Sequence, residues 1–164
     1  MTDAFWFWKA VHILSATILL GGGLTIAFFC WFGYRNAMNE GEIVSLRAVL
    51  RLTVIADACL TAPAVVIQAA SGIVLMSLLG WPMVSAWSMA AWGLFVLVGI
   101  CWLPVVAIQV MLKREAEKAS SVEALPAHFH RWFSWWFALG APAFTAVVLL
   151  VYLMVAKPLP ITGT

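Results

Sequence analysis

Charge is what this sequence has least of. Only 10% of its 164 residues are Asp, Glu, Lys or Arg, against about 25% in a water-soluble domain. That is too little charge to wet a globular surface or to keep a tail disordered. Nine basic and seven acidic side chains leave a net charge of +2, too weak and too scattered for a nucleic-acid footprint. Cysteine is also scarce and odd in number, at three. Cys30, Cys59 and Cys101 all fall in apolar runs away from an oxidising surface, so they read as small packing residues rather than disulfide partners. No Cys-x-x-Cys-His is present, which removes a covalently attached c-type haem. A Gly-rich phosphate loop, a nucleophile elbow and a His-Glu-x-x-His pair are missing too, so hydrolase or ATPase activity would need a partner chain. No internal repeat is visible, which leaves little material for alternating access.

What the sequence does have is hydrophobic bulk: 65% apolar residues and a mean hydropathy of +1.02. The length fits a single integral membrane domain, residues 1–164. Charge-free runs locate its helices at Ala10 to Tyr34, Ala58 to Leu112 and Trp132 to Ala156. A span takes about 20 apolar residues, so the middle run holds two, broken at Gly80-Trp81-Pro82. These runs are apolar all round, whereas barrel strands alternate. The expectation is an all-α, four-transmembrane-helix, up-down bundle with helices at 4–35, 44–79, 85–118 and 126–156. The first run is longer than a signal-peptide core and lacks a small-residue cleavage site, so it reads as a retained span.

Basic residues set the expected orientation. Arg35, Arg47, Arg51, Lys113, Arg114, Lys118 and Arg131 flank the 1–2 and 3–4 connections, and only Lys9 and Lys157 lie on the other side. The positive-inside rule puts both termini on the outer, periplasmic side. Trp6, Trp8, Trp81 and Trp87 read as one interfacial belt, and Trp31, Trp132, Trp135 and Trp136 as the other.

Small and polar residues mark helix contact faces in lipid. Helix 1 carries such a seam at His12, Ala16, Leu20, Gly23, Ala27, Cys30 and Tyr34, and helix 2 at Asp57, Thr61, Ala64, Gln68, Ser71 and Leu75. Helix 4 carries one at Arg131, Ser134, Ala138, Ala141, Thr145, Val148 and Tyr152. Helix 3 is blander, with Gln109 its one strongly polar group inside the span. Bulky Leu14, Ile18 and Phe32 are then expected to face lipid.

Asp57 is the costliest residue, because a carboxylate at a helix centre costs about 2.5–3.5 kcal/mol on insertion scales. A buried ion pair with Arg131 is the expected solution; proton transfer and ligand anchoring are the other readings. His128 and His130 follow Pro126 and point about 200° apart on a helix. They read as solvated at the interface, with head-group binding or proton relay as alternatives. His12 lies one to two turns inside the outer interface, on the helix 1 seam. It reads either as a packed histidine hydrogen-bonded to Tyr152, or as an axial ligand to a b-type haem. Met76, Met89 or Tyr152 are the second-ligand candidates at that depth. Gly21-Gly22-Gly23 and Ala16 leave room for a flat macrocycle, or equally let helices pack closely.

The segments Lys9-Ala10-Val11-His12-Ile13-Leu14-Ser15-Ala16, Ala58-Cys59-Leu60-Thr61-Ala62-Pro63-Ala64, Cys101-Trp102-Leu103-Pro104-Val105-Val106 and Arg131-Trp132-Phe133 through Pro142-Ala143-Phe144, closing on Lys157-Pro158, resemble a bacterial family of predicted four-helix integral membrane proteins of unknown function. More distantly, the His12 helix and Lys157-Pro158 are similar to HemJ-type protoporphyrinogen oxidases and CopD-like membrane proteins. The HemJ resemblance implies b-type haem on a first-helix histidine, here His12; helix 3 carries no histidine or lysine counterpart. The expectation is therefore a bundle of the bacterial inner membrane, in contact with the lipid bilayer and not with nucleic acid. Haem on His12 implies electron transfer between a membrane redox partner and quinone or porphyrin. The competing readings are a non-enzymatic subunit or scaffold, self-associating or partnered, and a small-molecule or ion carrier using Asp57, Thr61 and Gln68.

Overall fold

The computed structural model of the chain describes residues 3–157; Pro158 of the closing Lys157-Pro158 motif lies outside them. The described residues form four long helices and no strand: α1 (Asp3–Glu40), α2 (Ile43–Leu79), α3 (Ala86–Lys118) and α4 (Ala127–Ala156). All four are long and apolar enough to cross a membrane. Their connections follow local chemistry. Gly41 (φ 70) and Gly80 (φ 63) end α1 and α2 in the left-handed region that glycine enters without strain. At each, the following N–H reaches back to close the last turn, Glu42 to the Ala37 carbonyl and Trp81 to the Met76 carbonyl. Ser85 opens α3 by accepting a hydrogen bond from the Ser88 N–H. α1 runs on to Glu40 instead of stopping near residue 35, since nothing before Gly41 breaks it.

α2 departs from the expected regular helix at Asp57–Thr61, which winds as a π-helix with the Ala62 N–H bonded to the Asp57 carbonyl. Pro63 supplies the cause. In a regular helix its ring presses on the carbonyl four residues back, that of Cys59, and its missing N–H leaves that carbonyl without a donor. Wider winding just before the proline relieves both.

One end of the bundle, which carries the α1–α2 and α3–α4 connections, is solidly packed. Cys30, Leu46, Leu50, Leu112, Phe129 and Phe133 belong to one buried cluster there, and the Tyr34 ring stacks on Phe133 with centroids 3.9 Å apart. α1 and α2 approach closely at Gly33, where a Cβ would sit 2.8 Å from Val49 Cγ2. Arg47 reaches from α2 to the end of α3. Its Nε donates to the Ala116 carbonyl at 2.8 Å and a terminal nitrogen donates to the Ala119 carbonyl, so a cation meets the carbonyls that a helix end leaves unpaired. Arg47→Met is expected to lower stability by about 2 kcal/mol, within the range for hydrogen bonds to a charged group. Unfolding titrations in mixed micelles check this; a loss under about 0.5 kcal/mol would mean water caps that end equally well.

The seams of α1 and α2 are where the sequence puts them, and Leu14, Ile18 and Phe32 face outward. The α4 seam is not. Ser134, Ala138, Ala141, Thr145, Val148 and Tyr152 fall outside the buried contact face, which is made instead by Phe129, Phe133, Trp136, Ala146 and Leu153. Aromatic stacking on Tyr34 and within α4 outweighs the small-residue rule there. Two of the expected belt tryptophans are also internal. The Trp87 indole donates to the Leu153 carbonyl at 3.1 Å, and that of Trp136 donates to Gln109.

Candidate functional site

The other half of the bundle is divided. From Ala62 onward α2 packs on α1, while α3 packs along α4. Between the two helix pairs lies a cavity of about 1020 Å³, at the upper end of small-molecule sites in proteins. Its walls are almost wholly apolar. Phe5, Lys9, Trp81 and Lys157 stand at the terminal end, and Asp57, Gln109 and Trp136 at the packed end. The Lys157 ammonium lies 4.9 Å from the Trp81 ring centroid, and that of Lys9 lies 5.3 Å from the Trp6 ring. Gly23, Gly99 and Gly140 line the cavity, and a Cβ built on any of them meets nothing within 4 Å. Gly21 and Gly22 also meet nothing within 4 Å but do not line the cavity, so of this run only Gly23 gives it room, and none of the three marks a close helix contact.

A three-residue link closes the packed end. The Gln109 side-chain N–H donates to Asp57 Oδ2, and its oxygen accepts from Trp136 Nε1 at 3.2 Å. One amide thus ties α2, α3 and α4, and all three side chains are buried. The ion pair expected between Asp57 and Arg131 is not formed. Arg131 precedes Trp136 by five positions, which turns it about 140° around α4 from that inward side chain, and it lines a shallow exterior groove with Ser134 and Trp135. The neutral amide of Gln109 does what a guanidinium was expected to do. Beyond the link, two buried side-chain polar atoms find no partner among the described residues: Thr61 Oγ1 and Trp102 Nε1.

His12 lines the cavity wall, yet its partner is not Tyr152, which is 59% exposed. Its Nδ1 lies 2.9 Å from Ser71 Oγ and its Nε2 3.0 Å from Gln68 Nε2. One tautomer satisfies the whole set. Nδ1–H donates to Ser71, whose hydroxyl donates to the Ile67 carbonyl at 2.6 Å. Nε2 accepts from Gln68, whose oxygen accepts from Ser15. Gly72 gives the ring its place, since a Cβ there would lie 3.3 Å from His12 Cε1. Of the second-ligand candidates, Met89 is 60% exposed and, like Tyr152, is not on the cavity wall. Met76 is buried on the wall, but on α2, the same side as His12. The facing wall offers Met154 from α4, which sequence reasoning missed. It stands one turn before Lys157, as His12 stands one turn after Lys9, and that symmetry was the available signal.

The remaining titratable candidates lie at the packed end, away from the cavity. His130 Nδ1 is 2.6 Å from the Tyr34 hydroxyl. His128 packs its ring on Trp132 and reaches Glu115 at 4.0 Å. Cys30 and Cys101 are buried and Cys59 is exposed, all as free thiols.

No curated protein and no solved structure matches the chain. One family does, and its match runs along all four helices, from residue 7 to residue 158. With four apolar spans and that match over nearly the whole length, the chain belongs to the DUF2269 family of predicted integral membrane proteins.

Proposed function

We propose that this protein binds an elongated, mainly apolar molecule from the bilayer in the cavity between its two helix pairs, as a membrane binding or carrier protein. The cavity carries the reading: about 1020 Å³ of apolar space in a small bundle whose other half is packed solid. The space opens to the surroundings, so a molecule can enter it, and the atoms lining it forgo their dispersion contacts unless something fills it. Asp57, Thr61 and Gln68, the carrier candidates of the sequence, all lie on the cavity wall. The basic residues at the two connections support termini on the outer face of a bacterial inner membrane. Purification into lipid nanodiscs, followed by solvent extraction and mass spectrometry, tests the reading. A single apolar species retained near one per protein is the expected result, and a profile no different from bulk lipid would end it.

A second reading, b-type haem on His12, is favoured by one feature. Ser71 fixes Nδ1 as the donor nitrogen, which is the orientation a haem-ligating imidazole takes, leaving Nε2 to face iron. Gln68 would have to release Nε2, and Met154 is the one thioether on the facing wall from α4. Bound haem would supply one-electron chemistry, with a membrane redox protein as partner. Absorption spectra before and after dithionite decide it. A Soret band lost in His12→Ala supports haem, and a flat spectrum after expression with ample haem retires it.

A further inference from the structure

We propose that the inner end of the cavity receives a neutral carbonyl group of the bound molecule, held between the Thr61 hydroxyl and the Trp102 indole N–H. The inference rests on the cavity-binding reading and adds the chemistry of the ligand's buried end. Thr61 is only 6% exposed, and neither its Oγ1 nor Trp102 Nε1 has a hydrogen-bond partner. At membrane depth no solvent supplies one, so an unmet donor there stays costly.

Both atoms stand out against their own kind in this chain. Thr17 and Thr145 bond back to the carbonyls four residues earlier, at 3.0 and 2.9 Å. Thr61 makes no such bond; it lies in the π turn, where the Asp57 carbonyl is aimed at the Ala62 N–H five residues on. The buried indoles of Trp87 and Trp136 each have an acceptor; the Nε1 of the half-buried Trp102 is itself buried and has none. Both residues line the cavity, on walls supplied by different helix pairs. Thr61 lies one turn after Asp57 on α2, and Trp102 two turns before Gln109 on α3. Since Asp57 and Gln109 are bonded to each other, helix rise sets both orphans on the cavity side of that link with an axial offset of about 5 Å. A helical threonine has two χ1 wells, so its hydroxyl can turn toward a ligand without backbone movement.

An indole N–H only donates, so the group it meets must accept. The Asp57 carboxyl one turn away disfavours an anion, which leaves a neutral oxygen. From Thr61 to Met76, both on the wall, α2 provides about 22 Å of further length for an apolar tail. A carbonyl-headed lipid has that shape, whether its carbonyl belongs to a prenylated quinone or to an acyl ester.

The test uses the full chain in nanodiscs with three probes of similar length: a decyl-substituted benzoquinone, a fatty acid methyl ester and an alkylbenzene without oxygen. Thr61→Val and Trp102→Phe are each expected to bind the carbonyl probes roughly five- to tenfold more weakly, with alkylbenzene binding unchanged. Thr61→Ser should restore the affinity. Both variants should keep or raise the melting temperature of the ligand-free protein, since each removes a costly donor that had no partner. Tighter binding of the quinone than of the ester assigns the first source, and the reverse order the second. Equal affinity of all three probes for the wild type, or a uniform loss across them in the variants, overturns the carbonyl assignment while leaving the cavity reading in place. Failure of all three to bind overturns the cavity reading itself, and this inference with it.

Discussion

Gln109→Leu is expected to be among the most damaging single substitutions in the chain, at about 3 kcal/mol. An ordinary hydrogen bond between membrane helices is worth about 0.6 kcal/mol, because the separated helices find other partners. Gln109 is not ordinary. Its amide meets the Asp57 carboxyl and the Trp136 indole at once, with all three side chains buried. Removing it strands a carboxyl in an apolar interior, and an unmet group of that kind costs far more than the bond was worth. Asp57→Leu strands only an amide N–H and should cost about 1 kcal/mol. The double variant should therefore be more stable than Gln109→Leu alone. Reversible unfolding in mixed micelles, run as a double-mutant cycle, reads the coupling directly. Additive losses would show that the link does not hold the three helices together.

That link also marks where sequence reasoning reaches and where it stops. Four spans were legible because a helix crossing lipid must be long and free of charge, a pattern that survives without any tertiary knowledge. The α1 and α2 seams were legible for the same reason, since small and polar side chains at helical spacing have nowhere else to go. The partner of Asp57 was not. A rule that pairs a carboxylate with a cation points to Arg131, while the answer lay in Gln109, a neutral residue on the blandest helix, and in which way α4 is turned. Trp136 and Phe133 decide that turn. Their bulk fills the packed end, so the small face of α4 is left outside that core. The π turn had a local signal in Pro63. The Gln68–Ser71 spacing on the α2 seam was the signal for the partners of His12. The extent of the cavity had no signal, because it is defined by contacts that α2 does not make beyond Ala62, and missing contacts leave no periodicity behind. Ala16 and the Gly21-Gly22-Gly23 run did hint at space, and Ala16 and Gly23 line it; the structure adds Gly99 and Gly140, small without a neighbour to accommodate.

Those two glycines separate a binding cavity from a packing defect. Gly99→Leu combined with Gly140→Leu is expected to raise the melting temperature of the ligand-free protein by roughly 5 °C, as helix propensity improves and new apolar contacts form. Both positions line the cavity, and a Cβ at either would have nothing within 4 Å, so the added side chains meet no obstacle. If the space is a ligand site, the same double variant should lose the retained apolar molecule, by about tenfold or more in recovered amount. It should also lose the stabilisation that excess ligand gives the wild type by mass action. Gly93→Leu supplies the control, for Gly93 is exposed, has the same open surroundings and does not line the cavity. It should gain helix propensity and keep the ligand. A filled variant that is more stable and still retains the molecule would place binding elsewhere, whereas gain of stability with loss of ligand is the signature of a bundle held open for what it binds.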